Sequence, residues 1–135
     1  VDHGVVVICA GGGGIPVVEL GDGAVTGVEA VIDKDLARAL LARQKRADML
    51  LMLTDVDAVY RDFGTPQATP LTRMRASEII PNVFAAGSMR PKLEAAIEFA
   101  DATGNPAAIG RLEDAVAIVE GRRGTRIDPS RSRRA

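Results

Sequence analysis

Met49-Leu50-Leu51-Met52-Leu53-Thr54-Asp55 is an apolar run of strand length that stops on a hydroxyl and a carboxylate. It lacks the alternation of a half-exposed strand, so it reads as a strand covered on both faces, as in a parallel sheet. Upstream, within residues 35–46, Leu36, Leu40 and Leu41 fall on one helical face with Ala37 beside them, while Arg38, Lys45 and Arg46 fill the other face or the last turn. Downstream, Leu93, Ala96, Ile97 and Ala100 lie at i, i+3, i+4 and i+7, with Pro91 near the start and Gly104 at the end. Helix, buried strand and helix in this order imply parallel βαβ units with right-handed crossovers.

The same pattern extends to both sides. Residues 5–10 are predicted as a further buried strand, broken by Gly11-Gly12-Gly13-Gly14. Residues 20–27 contain a Gly-Asp-Gly turn, and residues 57–71, with Gly64, Pro66 and Pro70, read as loop with room for a short hairpin. A brief helical turn is expected at 76–80, and residues 85–88 lead into the helix at 93–100. A strand follows at 107–112, then a helix at 113–120 closed by Gly121 and a last strand at 124–127. The expected fold class is α/β, a parallel sheet between layers of helices.

Composition agrees. The 135 residues fit one domain. Hydrophobic content is 47% but aromatics are only 3%, so aliphatic side chains must do the packing; with 14 glycines this suits α/β layers. The net charge of −1 hides an asymmetry: six arginines fall within residues 122–135, leaving 11 basic against 17 acidic side chains elsewhere. An acidic body argues against a nucleic-acid partner. Residues 1–128 are expected to form the domain and residues 129–135 a basic disordered tail. Cys9 has no disulfide partner within the chain and is expected to be a buried thiol. No apolar stretch approaches the ~18 residues of a membrane span, so no membrane partner is expected and the cytoplasm is the expected compartment. The chain opens on Val1 and runs straight into an apolar segment, which leads us to expect a piece of a longer protein.

Candidate chemistry centres on two of the three lysines. Lys34 precedes or opens the first long helix, flanked by Asp33 and Asp35, and Lys92 stands in the first turn of the later helix. A cation at a helix start is unfavourable by roughly 0.3–1 kcal/mol unless something compensates. A bound anion would reverse that sign, because free N–H groups at helix N-termini accept phosphate; a lysine bending into water is the alternative. Gly11–Gly14 would let backbone N–H groups approach a ligand. The dinucleotide fingerprint fails there, because Pro16 or Val17 stands where a small residue is needed, and no Gly-Lys pair exists for a Walker A loop. Thr54-Asp55-Val56-Asp57 ends a strand at the edge where open α/β sheets gather ligands, though a polar turn would use the same residues. His3 is the only histidine, and no Cys/His cluster or Ser/His/Asp set is present. Chemistry by positioned cations and backbone donors remains, which is how phosphoryl transfer works.

The stretches 7–17 (VICAGGGGIPV), 27–37 (GVEAVIDKDLA), Leu53-Thr54-Asp55-Val56 and 84–92 (FAAGSMRPK) together resemble the carbamate kinase family, in order and spacing, from about residue 5 to 127. The resemblance implies the amino-acid-kinase fold in truncated form, the carboxy-terminal half of a chain about twice this length, homodimeric when complete. It implies reversible phosphoryl transfer between ATP and carbamate with Mg²⁺, commonly in arginine breakdown. Lys34 and Lys92 would neutralise the transferring group and Asp35 would orient them. Thr54, Asp55, Val56 and Tyr60 would line the nucleotide pocket, with Met89 and Pro91 opposite. Gly11, Gly12, Gly13 and Gly14 would face carbamate and the transferred phosphate. Arg90 stands where glycine or alanine can occur in the family. The alternatives are another amino-acid kinase, such as an acetylglutamate or uridylate kinase, or a non-catalytic nucleotide-binding module.

Overall fold

The computed structural model describes residues 4–9, 11–84 and 89–131. It opens with a departure from expectation. Residues 5–9 are exposed coil, not strand, and Ala10 lies outside the described residues. A strand exists only where a neighbour completes its ladder of N–H and C=O groups. Among the described residues none stands beside this run, and Cys9, expected to be buried, is exposed. Two short strands follow, Val17–Glu19 (β1) and Val25–Gly27 (β2), paired antiparallel across the Gly-Asp-Gly turn.

Helix α1 spans Lys34–Gln44. Asp33 caps it, its carboxylate accepting from the N–H groups of Asp35 at 2.8 Å and Leu36 at 3.1 Å, which satisfies two donors that a helix start leaves open. The face that α1 buries is not the leucine face. Asp35 and Ala39 are buried, and Ala42 packs beside them on the core, whereas Leu36 and Leu40 remain exposed. The small side chains allow α1 to lie close against the second long helix, Met89–Thr103.

Between those helices come Leu50–Thr54 (β3), a hairpin of Val59–Arg61 (β4) with Thr69–Leu71 (β5), and Arg73–Arg75 (β6). The helix Met89–Thr103 (α2) is followed by Ala107–Arg111 (β7), the short helix Ala115–Val119 (α3) and Thr125–Asp128 (β8). The residues 85–88 expected to lead into α2 lie outside the described residues. The main sheet has the order β3-β7-β8-β6. Strands β3 and β7 are parallel, with Leu50 opposite Ala107 and Met52 opposite Ile109. The sheet is mixed rather than wholly parallel, because β8 runs antiparallel to β7 and parallel to β6. Two glycines permit the return: Gly121 and Gly124 both take positive φ, and a Cβ at Gly124 would stand 2.8 Å from the Ile109 carbonyl oxygen. Strand orientation is decided by such connections, not by the apolar run itself.

Leu93, Ala96, Phe99 and Ala100 of α2 pack with Ala107, Ile109 and Ile127 on one face of the sheet. Ile118 of α3 lies against Gly110 on the other. Thr125, fully buried, ties the hairpin to the sheet: its hydroxyl donates to the Leu71 carbonyl and accepts from the Val59 N–H at 2.8 Å. Past Asp128 the chain stays anchored as far as Ser130, whose N–H and hydroxyl donate to Asp101 at 2.7 and 3.0 Å. Residues 132–135 of the expected tail lie outside the described residues.

Candidate active site

Strand β3 delivers Thr54 and Asp55 to the carboxyl edge of the sheet, where the Thr54 hydroxyl donates to Asp55 at 3.0 Å. A cavity of about 510 Å³ opens there. Its walls come from the β3 end, the β4–β5 hairpin, Met74 of β6, the segment through Phe84, and Met89 at the start of α2. Thr54, Asp55, Val56, Tyr60 and Met89 all line it. Pro91 does not; it sits half-buried in the first turn of α2. The Tyr60 hydroxyl donates to both Asp57 carboxylate oxygens, at 3.0 and 3.2 Å. That bond to Asp57 raises the phenol above its ordinary value and fixes the ring.

One turn along α2 from Met89, and so on the same helix face, stands Lys92. Its ammonium meets the Asp35 carboxylate at 2.9 Å, with the two side chains only 13% and 6% exposed. Fifty-seven residues separate the partners, and the packing of α1 on α2 unites them. Arg38 adds a second, longer contact to Asp35 at 3.5 Å. A pair this sheltered holds one geometry, because removing either partner leaves a buried charge unmatched. Lys34 opens α1 but is exposed, with no ion pair among the described residues. Asp33 is held below the ordinary carboxylate value, first by the Leu36 N–H bond. Arg90 is engaged by Glu94 at 2.9 Å and so is not a free cation beside Lys92.

The glycine loop lies against the start of α1. Gly13 has φ +132°, and a Cβ there would stand 3.2 Å from the Ile32 carbonyl oxygen and 3.5 Å from the Lys34 Cα. Arg38 reaches back to the Gly11 carbonyl at 3.5 Å. Two groupings therefore emerge: the loop of Gly11 to Gly14 with Lys34, and the Asp35–Lys92 pair one helical turn from the cavity. Sequence reasoning missed Arg38 and Phe63, and named Asp57 only as part of the strand-end stretch 54–57, without its bond to Tyr60. Only the Arg38 position, i+3 from Asp35 on a helix, carried a readable signal. No cluster of three metal-ligating side chains occurs among the described residues.

Cavities at the carboxyl edge of a sheet are where α/β proteins take their ligands, and this molecule is of that class. The chain belongs to the amino acid kinase family, whose model matches residues 1–111, and the sheet between helices is that family's fold. It is similar to the carbamate kinase of Rhizobium meliloti, with 51% identity over 131 residues, 96% of this chain and 40% of that protein. It is also 51% identical over 123 residues to the carbamate kinase of Escherichia coli O6:H1, covering 91% and 40% of the two chains. Among solved structures, the carbamate kinase from Giardia lamblia bound to AMP-PNP superposes with a TM-score of 0.89 at 45% identity, over 95% of this chain and 46% of that one. An N-acetylglutamate synthase from Neisseria gonorrhoeae, at 20% identity and a TM-score of 0.58, shares the fold. The chain spans about 40% of the length of the curated relatives it matches.

Proposed function

We propose that this chain is the nucleotide-side portion of a carbamate kinase, a phosphotransferase that moves the γ-phosphoryl group of ATP to carbamate. The observation that carries the reading is identity of 45–51% to carbamate kinases along more than nine-tenths of the chain. In the reaction the bond from the γ-phosphorus to the β,γ-bridging oxygen breaks, and a carbamate oxygen forms the new P–O bond. ADP leaves with the bridging oxygen, the other product is carbamoyl phosphate, and the reverse transfer uses the same site. Lys92, held by Asp35, and Lys34 neutralise the charge spread over the transferring oxygens. Backbone N–H groups of Gly11 to Gly14 face carbamate and phosphate, while Thr54, Asp55, Val56, Tyr60 and Met89 surround the nucleotide. Mg²⁺, when bound, would screen the nucleotide phosphates; the described side chains do not themselves fit a metal cage.

The remainder of such a kinase would cover the apolar side chains left exposed at Val6, Ile8, Leu36 and Leu40. A cytoplasmic homodimer working in arginine breakdown completes the proposal. The alternative reading is a nucleotide-binding module without turnover.

ATP formation from ADP and carbamoyl phosphate separates the two, measured on this chain and on any longer polypeptide that contains it. In the active form, Lys92→Ala should lower kcat at least about 100-fold, the scale of one lost preorganised charge donor, and Lys92→Arg should recover part of it. Near-normal turnover of Lys92→Ala would remove Lys92 from the mechanism.

A further inference from the structure

The chain holds four aromatic side chains, one tyrosine and three phenylalanines. Phe99 is fully buried at the centre of the core. The other three, Tyr60, Phe63 and Phe84, line a single cavity. A protein that packs its interior mostly with aliphatics has placed three of its four aromatic side chains around one space. Flat apolar walls with a few polar groups suit a planar ligand.

The three differ in what holds them. Phe84 is half-buried and packs on the core. Tyr60 is fixed by its bonds to Asp57. Phe63 is 67% exposed, and its ring meets that of Tyr60 at a centroid distance of 5.9 Å with the planes tilted by 58°. Its position is nonetheless set. It sits in the turn after β4, between Asp62 at φ +53° and Gly64 at φ +81°. A non-glycine residue with positive φ is uncommon, and this one is braced by Thr65, whose N–H and hydroxyl donate to the Asp62 carbonyl at 3.2 and 2.8 Å. The turn therefore holds an apolar ring toward solvent at the wall of the cavity, where core packing asks nothing of it.

We propose that Phe63 is a specificity-determining residue, the outer aromatic wall that retains the planar base of a nucleoside di- or triphosphate against Tyr60. This rests on the nucleotide reading above and deepens it. Phe63 reads the base and leaves the phosphates to the lysine end of the site.

The test compares wild type, Phe63→Leu and Phe63→Tyr in the whole polypeptide that carries this chain, by calorimetric titration with ADP and with base-free tripolyphosphate. In the 135-residue chain Tyr60 is the only tyrosine and there is no tryptophan, so its emission on ADP titration reports this cavity directly. Phe63→Leu should bind ADP about tenfold more weakly, within the range of one lost base–aromatic stack. It should bind tripolyphosphate as wild type does, and Phe63→Tyr should hold ADP within about twofold of wild type. If Phe63→Leu binds ADP as tightly as wild type does, the proposal is overturned. Equal weakening toward ADP and tripolyphosphate also overturns it, because that marks a general effect on the fold. Absence of ADP binding by wild type itself defeats the nucleotide reading, and this inference with it.

Discussion

Residues 5–9 and the helix α2 are both rich in apolar side chains, yet they meet opposite fates. Val6 and Ile8 are 90% and 96% exposed, while Leu93 and Phe99 are fully buried. The difference is not hydrophobicity but partners. The apolar face of α2 meets Ala107 and Ile109 of β7, Ile127 of β8 and the alanine face of α1. Among the described residues, the run at 5–9 meets nothing comparable. β1 and β2 are exposed throughout and pair only with each other, and an isolated two-stranded hairpin is marginally stable in water. The same contrast lies within α1, where Asp35 and Ala39 are buried but Leu36 and Leu40 are not. An apolar run is a request for burial, and the rest of the fold decides whether it is met.

The contrast is sharpest in stability. Phe99→Ala empties the centre of the core and should cost about 3–5 kcal/mol, whereas Val6→Ser should change stability by less than about 0.5 kcal/mol. Urea unfolding of the two variants measures both. A cost above about 1 kcal/mol for Val6→Ser would mean that the amino-terminal run is packed in solution, and the comparison would break.

A middle-sized effect is expected where the exposed region joins the packed one. Asp33→Ala removes the cap of α1 and should cost about 1 kcal/mol. Loss of helical signal confined to the first turn of α1, followed by amide exchange, would show that the cap marks the boundary. An unchanged midpoint would show that α2 alone holds α1 in place.

The smallest effect lies at the far end of the packed region. Burial of the Asp128 carboxyl would raise its pKa, but hydrogen bonds from Arg73 and Arg126 outweigh this and hold it below the ordinary carboxylate value. A depressed folded value means that the stabilisation is present above the unfolded value of about 4 and is lost as pH falls through the lower folded one. Melting temperatures of wild type and Asp128→Asn should therefore differ slightly at pH 7 and converge toward pH 3. A constant gap across that range would show that these arginines do not set the acid limb.

Much of the packed region was legible beforehand. The spacing of Leu93, Ala96, Ile97 and Ala100 located α2, and the uninterrupted runs located β3 and β7, because those elements bury enough of their own length to write a period into the sequence. β6 went unread, since Arg73-Met74-Arg75 is three residues long and charged on its open side, as edge strands are. The strand expected at 5–10 was over-read for the opposite reason: its composition is right, but no described strand pairs with residues 5–9. At the candidate site, Lys92 and Asp35 were singled out by position and by resemblance. Their 2.9 Å contact was not readable across 57 residues, nor was the gathering of Tyr60, Phe63 and Phe84 around one cavity.

By itself the sequence determined the class of the fold, the two long helices, the buried strands β3 and β7 and the polar residues that end β3. These are local matters, carried by periodicity, caps and glycine. Only the tertiary structure decided that β8 turns back against β7, that α1 offers its alanines instead of its leucines, and which distant charges become partners. Those outcomes depend on which surfaces meet, and a surface is completed by residues far away in the chain.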